Sequence, residues 1–189
     1  GMKNTAVGED ALGDADCGNE NTAIGRNTLQ VFTGSNATAV GSGAADAATT
    51  AIDLVAVGQN ALTACTDGNY NTGLGVEACG YLNSGDRNTG VGRHAVLKNV
   101  SGHDNTGVGH NVLYEYTGSD ATAIGAYAAD AATSAANLTA VGDHALGALI
   151  DGAENTALGH NSLASCTTGA ANTAAGSLAL DGCIDGANN

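Results

Sequence analysis

The chain of 189 residues has no proline, no tryptophan, one phenylalanine, five tyrosines and only five lysines and arginines. Each scarcity excludes something. Proline would delete a backbone N–H, so its absence suits a chain in which nearly every N–H serves a ladder between neighbouring strands. So few aromatic residues leave little with which to fill a thick core. Five basic against nineteen acidic residues give a net charge of −14. That balance speaks against nucleic acid and anionic membrane surfaces as partners, since both need basic patches. No apolar run reads as a signal peptide or a transmembrane helix, and no insertion of this segment into a membrane is expected. The acidic residues fall mainly at variable positions, such as Glu9, Asp10, Asp67, Asp151 and Asp185. They read as a solvated rind that keeps an elongated body soluble.

Glycine is what the chain has in quantity, twenty-nine residues, and much of it is periodic. The phrase Thr-Ala-Val-Gly or a close variant recurs eleven times, with glycines at 8, 25, 41, 58, 75, 92, 109, 125, 142, 159 and 176. The spacing is seventeen residues except for two steps of sixteen, Gly25 to Gly41 and Gly109 to Gly125. A period so short and regular predicts a solenoid in which each repeat is one coil. The fold class expected is all-β, a parallel β-solenoid of eleven coils of 16–17 residues. At about 4.8 Å per coil the body is roughly 50 Å long.

Within each repeat the columns are strict. Three residues before the glycine stands Thr, with Val55 the lone exception; one before it stands Val, Ile or Leu, with Ala175 the exception. Between them only Ala or Gly occurs. Period-2 alternation puts the Thr and aliphatic columns on one strand face and the Ala/Gly column on the other. The sequence reading takes the aliphatic column as interior and the Thr as bonded along its own inward ladder. The Ala/Gly column then faces outward, held small by a close partner backbone or by a tight curve of the coil itself. Past the glycine, pairs such as Ala11-Leu12, Ala61-Leu62 and Ala145-Leu146 read as a second short strand burying one aliphatic per coil. A further glycine, as at Gly68, Gly85 and Gly102, closes the coil into a flattened roll. Residues 35–62 match residues 119–146 at an offset of 84, which points to duplication of a five-coil block.

No catalytic or metal chemistry emerges. The five cysteines, Cys17, Cys65, Cys79, Cys166 and Cys183, are odd in number and lack C-x-x-C spacing, and they read as small buried thiols. Cys166 and Cys183 hold equivalent places in adjacent coils, close to disulfide range. His94 and His110, and again His144 and His160, follow the motif glycine in consecutive coils and read as surface turn residues. No nucleophile-elbow, phosphate-loop or zinc-protease motif is present. Neither an enzymatic activity nor a cofactor is expected.

The phrase Asn-Thr-Ala-Val-Gly-x-x-Ala, as in Asn4 to Ala11, resembles the head repeat of YadA-like trimeric autotransporter adhesins, and similar phrases occur in bacteriophage tail fibres. The resemblance covers essentially residues 4–189. It implies a left-handed parallel β-roll, three of which pack around a common axis and bind host or matrix ligands. The repeat here is longer, and Thr stands where the family's repeat has an aliphatic. The resulting expectation is a single repetitive domain over 4–189, with 1–3 a tag remnant and lead-in, cut from a longer fibre. It would be homotrimeric, extracellular on a cell surface or virion, and would present variable turns to a glycan or protein receptor. The candidate ligand-binding residues are Phe32, Tyr114 and Tyr116, placed on what read as the longest turns, Leu29–Gly34 and Leu113–Gly118. The alternative is a monomeric ice- or surface-binding β-solenoid.

Overall fold

In the computed structural model, which describes residues 1–13 and 16–189, the chain is a parallel β-solenoid without a helix. Eleven three-residue strands are β1 (Thr5–Val7), β2 (Thr22–Ile24), β3 (Thr38–Val40), β4 (Val55–Val57), β5 (Thr72–Leu74) and β6 (Thr89–Val91), followed by β7 (Thr106–Val108), β8 (Thr122–Ile124), β9 (Thr139–Val141), β10 (Thr156–Leu158) and β11 (Thr173–Ala175). They form one sheet in sequence order. Register is unshifted throughout, so that Thr72 pairs Thr89 and Gly73 pairs Gly90.

The direction of the columns is the reverse of the sequence reading. Ala23, Ala39, Ala56, Ala123, Ala140 and Ala157 are fully buried, whereas Val7, Ile24, Leu74, Ile124 and Leu158 are exposed. The reason is the thickness of the coil. Large inner side chains come from the opposite wall, where Leu29, Leu62, Val96, Leu113, Leu146 and Leu163 are all buried. Only a small residue fits facing them. A Cβ on Gly73 would stand 3.1 Å from Leu62 Cγ, and one on Gly107 would stand 2.7 Å from Val96 Cγ2. The coil's own curvature and core, and not a partner backbone, hold this column to Ala and Gly.

The expected second strand is also absent. After the motif glycine the backbone runs through consecutive turns in which alternate residues are left-handed: Asn60 (φ 54°) and Leu62 (φ 51°), Asn111 (φ 52°) and Leu113 (φ 50°), even the β-branched Val96 (φ 53°). A third left-handed residue stands two before the strand of each coil, as at Tyr70 (φ 59°) and Arg87 (φ 57°). Such conformations cost side-chain-bearing residues about 1 kcal/mol or more each. Bonds between coils offset that cost: Leu62 N–H donates to Ala78 O at 2.9 Å and Cys79 N–H to Ala95 O at 2.9 Å.

A buried asparagine spine lies one residue before the strand threonine, a role the sequence reading missed. Asn71 Oδ1 accepts from the Asn88 backbone N–H at 2.8 Å, and Asn88 Oδ1 from the Asn105 N–H at 3.1 Å. Each side-chain amide also donates to the carbonyl of a closing glycine, Asn71 to Gly85 O at 2.7 Å and Asn88 to Gly102 O at 2.8 Å. No buried side-chain nitrogen or oxygen among the described residues lacks a partner. The spine is interrupted where Ala37, Leu54, Ala121 and Leu138 take the position, and these are buried too.

The motif glycine is obligatory. Gly75 has φ +137°, and an added Cβ would stand 2.5 Å from Gly92 O. Gly75→Ala therefore meets both backbone strain and a clash with the next coil, and is expected to destabilise the fold by about 3 kcal/mol or more. Denaturant titration of the variant against the parent chain checks this.

Candidate binding face

With the small column inside, the outer face of the sheet is built from the other two columns. Threonine runs in register without a break from Thr72 to Thr173, and beside it lie Leu74, Val91, Val108, Ile124, Val141 and Leu158. The exposure is substantial, 44% at Leu74, 44% at Ile124 and 53% at Leu158. Neither column contains a charged residue in any of the eleven coils. Threonine hydroxyls bonded to neighbouring coils belong to the turns, Thr28 on Gly41 O at 2.7 Å and Thr117 on Thr133 O at 2.9 Å. Among the described residues the strand threonines have no such partner, so the inward threonine ladder expected from sequence does not form. The face is a flat, uncharged strip of methyl and hydroxyl groups repeated once per coil.

Charge is confined to the turns. Lys3 pairs with Glu20, Arg87 with Asp104 and Lys98 with Glu115, each at 2.7 Å and one coil apart. The Arg87 guanidinium holds the Asp104 carboxyl below its usual range by a two-pronged hydrogen bond. Being exposed, such pairs contribute little to stability. His94, His110, His144 and His160 lie in the turns just after the motif glycine, whereas His103 sits in a closing turn, where its Nδ1 accepts from the Asp86 N–H at 2.9 Å. His110 meets Tyr127 edge-on with ring centroids 5.2 Å apart, Tyr127 stacks on His144 at 4.9 Å, and Asp143 Oδ1 lies 2.8 Å from His144 Nδ1. Among the described residues no group of three His, Cys, Asp or Glu is arranged to hold a metal ion. A shallow hollow of about 290 Å³ lies between Met2, Lys3, Asn19, Glu20, Ser35 and Asn36. Among the described residues no helix is long and apolar enough to cross a membrane.

The three aromatic candidates separate. Phe32 and Tyr116, expected at the surface, are buried. They occupy the two sixteen-residue coils, so the turns that carry them lie in the shortest coils rather than being the longest turns. Each ring tucks under the closing glycine two residues on: a Cβ on Gly34 would stand 2.7 Å from Phe32 Cζ, and one on Gly118 would stand 2.7 Å from the Tyr116 hydroxyl oxygen. The equivalent places in the next coils are the small Ala48 and Ala132. The rings thus fill the interior of the contracted coils. The Tyr116 hydroxyl donates to Ala135 O at 2.6 Å, with Ser119 O at 2.8 Å. Only Tyr114 stays half-exposed, with Lys98 Nζ 5.2 Å above its ring.

All five cysteines are free, with Cys65, Cys79 and Cys166 buried. Burial pushes the Cys65 thiol up to about 11 and the Cys79 thiol to about 12, from 9.0. Compared with known proteins, the chain matches no family model, no curated protein and no solved structure.

Two outcomes are expected. Tyr116→Phe keeps the packing, as Phe32 shows at the equivalent site, but leaves Ala135 O without its donor, a loss of about 1–2 kcal/mol in denaturant titration. The folded chain also keeps the Cys65 and Cys79 protons at pH values where the unfolded chain sheds them. That contribution is complete below pH 9.0 and is lost as pH rises towards 11 and 12. The denaturation midpoint should fall above pH 9.0 in the parent chain, and fall less, relative to its own neutral value, in Cys79→Ala.

Proposed function

We propose that this chain is a structural and adhesive segment of a trimeric surface or viral fibre, displayed outside the cell. Its Thr-x-aliphatic face is the surface on which copies meet, and its turns are presented outward to a receptor. The observation that carries the reading is the uncharged strip itself. On a chain of net charge −14, two eleven-residue columns of the sheet have escaped every acidic residue. Three copies would carry three times that charge, so like chains can approach only where no charge lies. Burying the half-exposed aliphatics contributes about 1 kcal/mol each, on the order of 10 kcal/mol per chain. This is comparable with the cost of association. The repeat phrase resembling YadA-like head repeats points the same way. The receptor is a host-surface glycan or protein. Of the three aromatic candidates, Tyr114, half-exposed beside Lys98 and Glu115, is the one that remains for it.

A second reading rests on the same face. Outward threonines in unbroken register from Thr72 to Thr173, with hydroxyls free of partners among the described residues, also suit an ordered water surface, as in a monomeric ice-binding solenoid. Light scattering after size exclusion separates the two. A mass near three times 18.3 kDa is expected, and Ile124→Lys should shift it towards the monomer by placing charge in the strip. A monomer at 18.3 kDa with thermal hysteresis would replace the fibre reading by the ice-binding one.

A further inference from the structure

Cys166 and Cys183 hold the same place in adjacent coils, and neither the core packing of the aromatic rings nor the binding face uses them. The backbone ladder brackets the pair: Leu163 N–H donates to Ala179 O at 3.0 Å, and Thr167 N–H to Ile184 O at 2.7 Å. The two cysteines are therefore direct neighbours one rung apart. A rung of about 4.8 Å lies inside the range of about 4.4–6.8 Å that a disulfide spans between Cα atoms. Both thiols turn to the same side of the interior, Cys166 Sγ 3.8 Å from Gly169 O and Cys183 Sγ 3.9 Å from Gly186 O. Glycine keeps that side open, since a Cβ on Gly169 or Gly186 would stand 2.9 Å from the sulfur. Cys166 is buried and Cys183 half-buried, so an oxidant reaches Cys183 first. Burial, together with the neighbouring Cys183 thiol, holds the Cys166 thiol above its ordinary range.

We propose that Cys166 and Cys183 form a reversible covalent staple between their two coils, with a small disulfide of the glutathione class as oxidant. The Cys183 thiolate attacks one sulfur of oxidised glutathione, forming a mixed disulfide and releasing one glutathione thiolate. The Cys166 thiolate then attacks the Cys183 sulfur, forming the intrachain bond and releasing the second. Two protein thiols are oxidised and one glutathione disulfide is reduced to two thiols, the two protons passing to the released thiolates or to solvent. Cys65 and Cys79 also lie in adjacent coils, but seven and four residues after their motif glycines, and share no rung. The staple lies within one chain and does not depend on the fibre reading.

The test is incubation of the full chain with oxidised glutathione, followed by thiol counting under denaturing conditions and peptide mapping. The expected result is loss of two of the five thiols and a peptide linking Cys166 to Cys183. Hydrogen exchange in residues 177–189 should slow by about tenfold or more, and recover on reduction. In Cys166→Ser the glutathione adduct should persist on Cys183, and in Cys183→Ser position 166 should stay unmodified. A link between Cys65 and Cys79, adducts without any link, or five free thiols after treatment would overturn the proposal.

Discussion

Stacking at a fixed period with unshifted register forces every residue to sit on its own counterpart. That single constraint organises the molecule. A group that suits one coil must tolerate a copy of itself about 4.8 Å away. Asparagine does so well, because its amide oxygen accepts the backbone N–H of the next coil's asparagine while its amide nitrogen donates to that coil's closing-glycine carbonyl, and the spine from Asn71 through Asn105 follows from this. Acidic residues do so poorly, since like charges one rung apart repel. Across a rung they meet a basic group or a neutral donor, as in Arg87 with Asp104 and Thr63 with Asp46. The motif glycine has its backbone pressed against the next coil's glycine carbonyl, leaving no room for any other residue.

The architecture was legible because it depends on period alone. Eleven glycines at near-constant spacing specify coil count, parallel pairing and register without reference to any side chain's direction. Side-chain direction is not specified by the period. Large aliphatics are usually interior, so the pattern alone assigns Val, Ile and Leu inward and leaves Ala outside. What decides between the columns is space across the coil, and the clue was present in the Ala-Leu pairs after each glycine. If Leu62, Leu113 and Leu146 fill the interior from the far wall, the near wall must be small.

The left-handed turns are equally silent in the sequence. Leu and Val are poor signals for positive φ, and local propensity gives no warning at Leu62 or Val96. The ladder to the neighbouring coil overrides propensity there, and a bond between coils has no local signature. Phe32 and Tyr116 misled for a related reason. Scarce aromatics in an acidic, glycine-rich chain look like contact residues. Their coincidence with the two shortened coils, visible in the spacing, would have marked them as filler.

Repetition also has a cost for recognition. Because the Thr-x-aliphatic strip looks nearly the same at every rung, a second copy slid along it by one coil would meet almost the same surface. Translation along the rod is close to degenerate, and alignment has to come from the few places where the pattern fails. Val55 breaks the threonine column, Ala175 breaks the aliphatic one, and the contracted coils around Phe32 and Tyr116 interrupt the seventeen-residue period at an interval of 84 residues. These irregularities are the graduations by which an otherwise uniform ruler can be read.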